Sequence, residues 1–163
     1  MAIEISVTLT QIQTLDLSAA QALIDPLLTT ATPDNLKTAE QQISFQINFP
    51  QDPNDPRELS EIPEVRLWFI YLDAQYPWLP FLLDWKAGEL ARYTAMLVPH
   101  QFHPKDGIQF NIEALEIFVM NKTFVLSKWC QQQGIKGRSH IQAMTQMLGY
   151  ELEDGFFDLM NFQ

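Results

Sequence analysis

Only one of the 163 residues is a cysteine, Cys130. That excludes an internal disulfide and leaves no set of thiolates to hold an iron–sulfur cluster or a four-cysteine zinc. Lysine and arginine are also scarce, ten against twenty aspartates and glutamates, for a formal net charge of −10. A chain so poor in cations lacks the attraction that draws proteins to nucleic acid or to anionic lipid. No apolar run approaches the roughly 18 residues of a membrane-spanning helix. The opening MAIEISVTLT has neither the basic start nor the apolar centre of a secretory signal. The six glycines nowhere assemble a phosphate loop, and no G-x-S-x-G elbow is present. Together these absences point to a reducing, soluble compartment and to work done without a nucleotide or an iron–sulfur cluster of its own.

What remains is an ordinary apolar complement rich in aromatic rings, and residues 1–163 are expected to form one domain. A chain of this size buries about 70% of the surface it exposes when unfolded. AIEISVTL and ISFQINF alternate apolar and polar side chains, the mark of half-buried strands. DLSAAQALIDPLL reads as a short helix with Ser18 as its cap. PQDPNDPRELSEIPE, about residues 50–63, holds four prolines and mostly acidic charge, and is expected to be a solvated connector. PEVRLWFIYLDAQYP starts a helix at Pro63, and its apolar residues cover most faces, predicting thorough burial. FLLDW and LARYTAMLV read as strands, although GELARYTAML also fits a helix.

The last third is helical. NIEALEIFVMNKTFVLSKWCQQQG carries Asn111 as cap and Gly134 as stop, and its apolar middle predicts the central core helix. SHIQAMTQMLG offers a capping box, Ser139 with Gln142, and ELEDGFFDLMNF a final short helical segment. The element order predicts an α+β fold, with helices covering a small mixed sheet.

Few candidate sites stand out. LVPHQFHPKDGIQF places His100 and His103 three apart between Pro99 and Pro104. The prolines exclude a shared helical face, and no third ligand has a matching spacing. HPKDG predicts a turn, with Gly107 supplying positive φ. QYPWLP cannot be a regular helix or an inner strand, so Trp78 sits either on a surface loop, as an anchor for a protein partner, or packed down as a lid on the core. Phe102 and Lys105 flank the histidines and join His100, His103 and Trp78 as the expected partner-binding set. Cys130, on the long helix, is expected to be a buried and inert thiol. GRSHIQAMTQMLGYE resembles a DNA-reading helix only until Glu151, Glu153, Asp154 and Asp158 follow it, since they would repel phosphates.

LLDWKAGELARYTAMLVPHQFHPKDGIQFNIEALEIFVMNKTFVLSKWC and IQAMTQMLGYELEDGFFDLM carry a resemblance. From about Trp78 to Met160 the chain resembles the sixth chlororespiratory-reduction factor of plants and cyanobacteria. The resemblance implies a non-catalytic assembly factor for the photosynthetic NAD(P)H dehydrogenase-like complex. It further implies help in maturing the iron–sulfur subunit and building the hydrophilic arm, with that subunit and other assembly factors as partners. No cofactor, nucleic acid or membrane insertion is expected. The setting would be the cyanobacterial cytoplasm, or the chloroplast stroma for a processed plant form. Two other functions stay open at this point: a small metal-dependent hydrolase using His100 and His103, and a helix-turn-helix regulator built on residues 139–160.

Overall fold

A computed structural model describes residues 2–162. Strand β1 (Ile3–Thr8) is followed by helices α1 (Leu9–Gln13), α2 (Ser18–Thr29) and α3 (Pro33–Ala39) before β2 (Ile43–Asn48). The two strands pair in parallel, Ile5 opposite Phe45, so three helices form the crossover that a parallel pair requires. Thr8 caps α1 through the Gln11 backbone, and Thr32 caps α3, with Pro33 in its first turn. Ser18 lies inside α2 and is not its cap; Asp16 accepts a hydrogen bond from its backbone N–H instead.

A 3-10 turn at Leu59–Glu61 ends the proline-rich stretch and leads into α4 (Pro63–Gln75). The turn is not merely a solvated connector, because Ser60 and Ile62 are buried. Two further 3-10 turns, Leu79–Leu82 and Trp85–Ala87, occupy the segment expected to hold a strand. Pro80 lies in the first of them, and its carbonyl accepts the Trp85 indole N–H at 2.9 Å, which folds the segment back on itself. Only a single bridge, Ile43 to Leu83, retains strand character there. Gly88, at φ +81°, then turns the chain into α5 (Glu89–Leu97), a helix where LARYTAMLV had suggested a strand. Leu90, Tyr93 and Thr94 give that helix its buried face at helical spacing.

Strands β3 (His100–His103) and β4 (Gly107–Phe110) form an antiparallel hairpin of their own. The fold is α+β as expected, but the strands make two separate pairs among the described residues, not one mixed sheet. Helix α6 (Ile112–Gln133) follows, capped by the Asn111 side chain and stopped by Gly134 at φ +71°. Helices α7 (Arg138–Met147) and α8 (Asp154–Leu159) complete the chain. Gly137, not Ser139, precedes α7. An added Cβ there would stand 2.7 Å from Cys130 Sγ, so glycine is what lets α7 approach α6.

The core is an apolar cluster that runs from β1 and β2 through α4 and the 3-10 turns to the second half of α6. Trp68, Phe69, Phe81 and Tyr93 are its largest buried rings. Two helices are less buried than their composition suggests. On α4, Leu67, Ile70 and Tyr71 form an exposed stripe at helical spacing. On α6, burial begins at Val119: Ile112 and Ile117 are 76% and 70% exposed, whereas Leu126 and Cys130 are fully enclosed. The first half of α6 therefore projects beyond the core, and the hairpin leads into it.

Candidate functional site

The hairpin is built by its turn. Pro104, Lys105 and Asp106 connect the strands, and Gly107 takes φ +72°, a left-handed conformation that favours glycine. His103 is in the last position of β3. His100 and His103 are three apart on a strand, so they point to opposite faces. His100 faces inward with Phe102, Ile108 and Phe110, its ring centroid 5.2 Å from that of Phe102 and 6.0 Å from that of Phe110. His103 stands at the tip, its Nδ1 3.3 Å from the Lys105 backbone N–H and 3.3 Å from Asp106 Oδ2. Lys105 is exposed beside it.

His100 is fully engaged. Its Nδ1–H donates to the Val98 carbonyl at 2.9 Å, which leaves Nε2 to accept from the Ser60 hydroxyl at 3.1 Å. The histidine thus fastens the hairpin to the turn that ends the proline-rich stretch. A hydroxyl on an imidazole is also the beginning of a nucleophile–base pair. Here a backbone carbonyl stands where a carboxylate would stabilise the imidazolium, and Ser60 is only 6% exposed. The arrangement is that of a structural bridge. Among the described residues no three His, Cys, Asp or Glu side chains converge where they could hold a metal.

Between the hairpin, α5 and the Leu59–Glu61 turn lies a groove of about 410 Å³. Its walls are mainly apolar: Leu59 from the turn, Ala91, Ala95 and Met96 from α5, Phe102 and Ile108 from the hairpin. Phe102 is 41% exposed, so its ring is open to an incoming group. Arg92 and Glu58 are the charged groups on the walls. The Arg92 guanidinium is held from below, with Nη1 donating to the Phe45 carbonyl at 2.8 Å and to Glu89 Oε1 at 3.4 Å. Burial pushes the Glu89 carboxyl above its ordinary range, and the adjacent Arg92 charge pulls it part of the way back.

The expected partner-binding set is only partly brought together. His100 and Phe102 share the inner face of β3, His103 and Lys105 lie at the exposed tip, and Trp78 is elsewhere. Trp78 is buried at 8% exposure and stacks on Trp129 of α6, so it is a lid on the core, not an outward anchor. The prolines around it set a buried 3-10 turn instead of a surface loop. Leu59, Ser60, Ala91, Arg92 and Met96 were missed as site residues. For Ala91, Arg92 and Met96 the available signal was the helical fit of GELARYTAML, which puts Ala91 and Ala95 one turn apart; Leu59 and Ser60 had none.

The groups that would read DNA are also occupied. His140 is buried, its ring stacked 3.9 Å from that of Trp85, with Nε2 3.0 Å from the Phe81 carbonyl. Arg138 Nη1 donates to Asp158 at 2.9 Å, and the guanidinium lies 5.2 Å from the Phe157 ring centroid. Helix α8 has only six residues. No helix among the described residues is long and apolar enough to cross a membrane.

Compared with known proteins, residues 7–159 match the family described as chlororespiratory reduction 6. The match extends well beyond the Trp78–Met160 segment whose strings carry the resemblance. No solved structure matches the chain.

Proposed function

Since this chain belongs to the chlororespiratory reduction 6 family, we propose that it is a non-catalytic assembly factor for the photosynthetic NAD(P)H dehydrogenase-like complex. In this reading it binds the iron–sulfur subunit as its client, alongside other assembly factors, while the hydrophilic arm is built. The family match over nearly the whole chain carries the reading. The single buried cysteine is consistent with it, since such a protein helps cluster maturation by holding its client and not by carrying the cluster. The open groove beside Phe102 and the apolar stripes on α4 and α6 are surfaces of the kind a client covers. The setting is the cyanobacterial cytoplasm, or the stroma for a plant form. His100, Phe102, His103 and Lys105 remain the contacts proposed from the hairpin side.

The test is deletion of the gene in a cell that makes the complex. Assembled complex should fall while transcripts for its subunits stay level. Normal complex levels would overturn the assembly role, and a fall in transcripts would favour a regulator.

A further inference from the structure

We propose that the groove takes an extended segment of the client with alternating basic and apolar residues, added as a third strand along a free edge of the β3–β4 hairpin. This deepens the assembly reading and rests on it for the occupant being a protein.

The hairpin supplies the edge. The Asn111 N–H donates to the Pro99 carbonyl at 2.9 Å, which sets the phase of the ladder. In that phase Gln101 and Gln109 turn their backbone groups toward one another, while Phe102 turns its groups to the free edge of β3 and Ile108 its groups to the free edge of β4. Among the described residues these outward groups have no other backbone or side-chain partner. An exposed edge of this kind is a template for a further strand. A docked helix would keep its own hydrogen bonds internal and leave the edge unpaired, so an extended segment is the better complement.

The groove supplies the side-chain preference. In a strand, alternate residues fall on one face, and those facing the groove meet Leu59, Met96, Phe102 and Ile108. Charge selects the other residues. The stretch that carries the groove's Glu58 has five carboxylates, Asp52, Asp55, Glu58, Glu61 and Glu64, against one arginine, Arg57. That arginine is already paired with Asp55 at 2.8 Å, and the Glu61 carboxylate accepts the Glu58 backbone N–H at 2.7 Å, holding the two acids side by side. Arg92, the cation on the walls, is bound to Glu89 and the Phe45 carbonyl. A basic segment is therefore attracted, whereas a second copy of this acidic chain is repelled.

The experiment uses the full chain, isotope-labelled, and a short synthetic peptide of alternating valine and lysine with blocked ends. Two control peptides accompany it, one with glutamate in place of lysine and one N-methylated at alternate peptide nitrogens. The lysine peptide should shift the amide signal of Phe102 or that of Ile108, according to which strand's edge it extends, together with the methyl signal of Met96. Both controls should bind at least about tenfold more weakly, one through charge and the other through lost backbone bonds. Glu58→Lys should weaken the lysine peptide about fivefold, and Ala91→Trp, which fills the groove, should abolish binding. Phe102→Ala serves in its place if that variant does not fold. Equal binding of the N-methylated peptide would reduce the effect to plain charge attraction and overturn the proposal. So would shifts confined to other surfaces, no binding at all, or self-association through the hairpin. A deletion strain separates this outcome from the broader reading. If complex is lost on deletion and fully restored by the Ala91→Trp protein, the groove assignment falls and the assembly role stands.

Discussion

Trp78 and Trp129 lie face to face, their ring centroids 4.8 Å apart and their planes 7° from parallel. The pair clamps the 3-10 turn that begins at Leu79 onto the buried half of α6, and Phe81 meets Trp129 edge-on at 5.5 Å. Trp78→Ala should therefore destabilise the protein by roughly 3–5 kcal/mol, the usual range for removing a large buried ring. Urea unfolding measures this directly. A loss below about 1 kcal/mol would return Trp78 to the surface and to the set of partner anchors.

The two halves of α6 should respond differently to truncation. Leu126 is fully enclosed, and Leu126→Ala should cost about 2–5 kcal/mol. Ile117 projects from the same helix and is 70% exposed, so Ile117→Ala should shift stability by no more than about 0.5 kcal/mol. Equal losses at the two positions would mean that the first half of the helix is covered in solution.

Glu89 predicts a pH dependence. Its carboxyl holds its proton to higher pH in the folded protein than the ordinary value of 4.5, mainly because it is buried. The folded state then carries the extra proton over the interval above that value. The contribution of Glu89 to stability is fully present below pH 4.5 and is lost as pH rises through the raised folded value. Relative to Glu89→Gln, the unmodified protein should lose stability from pH 4.5 upward and then level off. Paired urea titrations across that interval give the difference. A gap that instead grows in favour of the unmodified protein would mean that pairing with Arg92 outweighs burial.

Much of the fold was legible because local chemistry and tertiary context agree. Asn111 and Gly134 bound α6 where a cap and a left-handed stop are needed, and Ile5 and Phe45 alternate inward as their strands require. The misreadings fall where the two diverge. The apolar run around Phe81 looks like a strand, but total burial removes any alternation, and the Trp85 bond to Pro80 bends the chain. LARYTAMLV holds the strand formers Tyr93, Thr94 and Val98, yet Gly88 and the helical spacing of Leu90, Tyr93 and Thr94 decide for a helix. Composition likewise overstated burial on α4 and α6, because an apolar residue left at the surface looks the same in sequence as one facing the core.

The candidate site was half legible. The turn at Pro104–Gly107 and the exposed Phe102 follow from residue types alone. The opposite wall does not, because Ser60 and Met96 reach the groove only through the packing of α5 and the Leu59–Glu61 turn. Periodicity carries no information about which distant segment will lie across from a hairpin.

The Ser60–His100 hydrogen bond joins positions forty residues apart and fixes one wall of the groove to the other. An unattached acidic stretch with four prolines would have to be immobilised each time a client arrived, and ordering side chains at an interface costs about 0.5–1.5 kcal/mol for each flexible one. With the imidazole holding the turn in place beforehand, that entropy is already lost during folding. In the proposed docking His100 thereby adds to affinity through preorganisation, beyond any contact its own ring makes with the client.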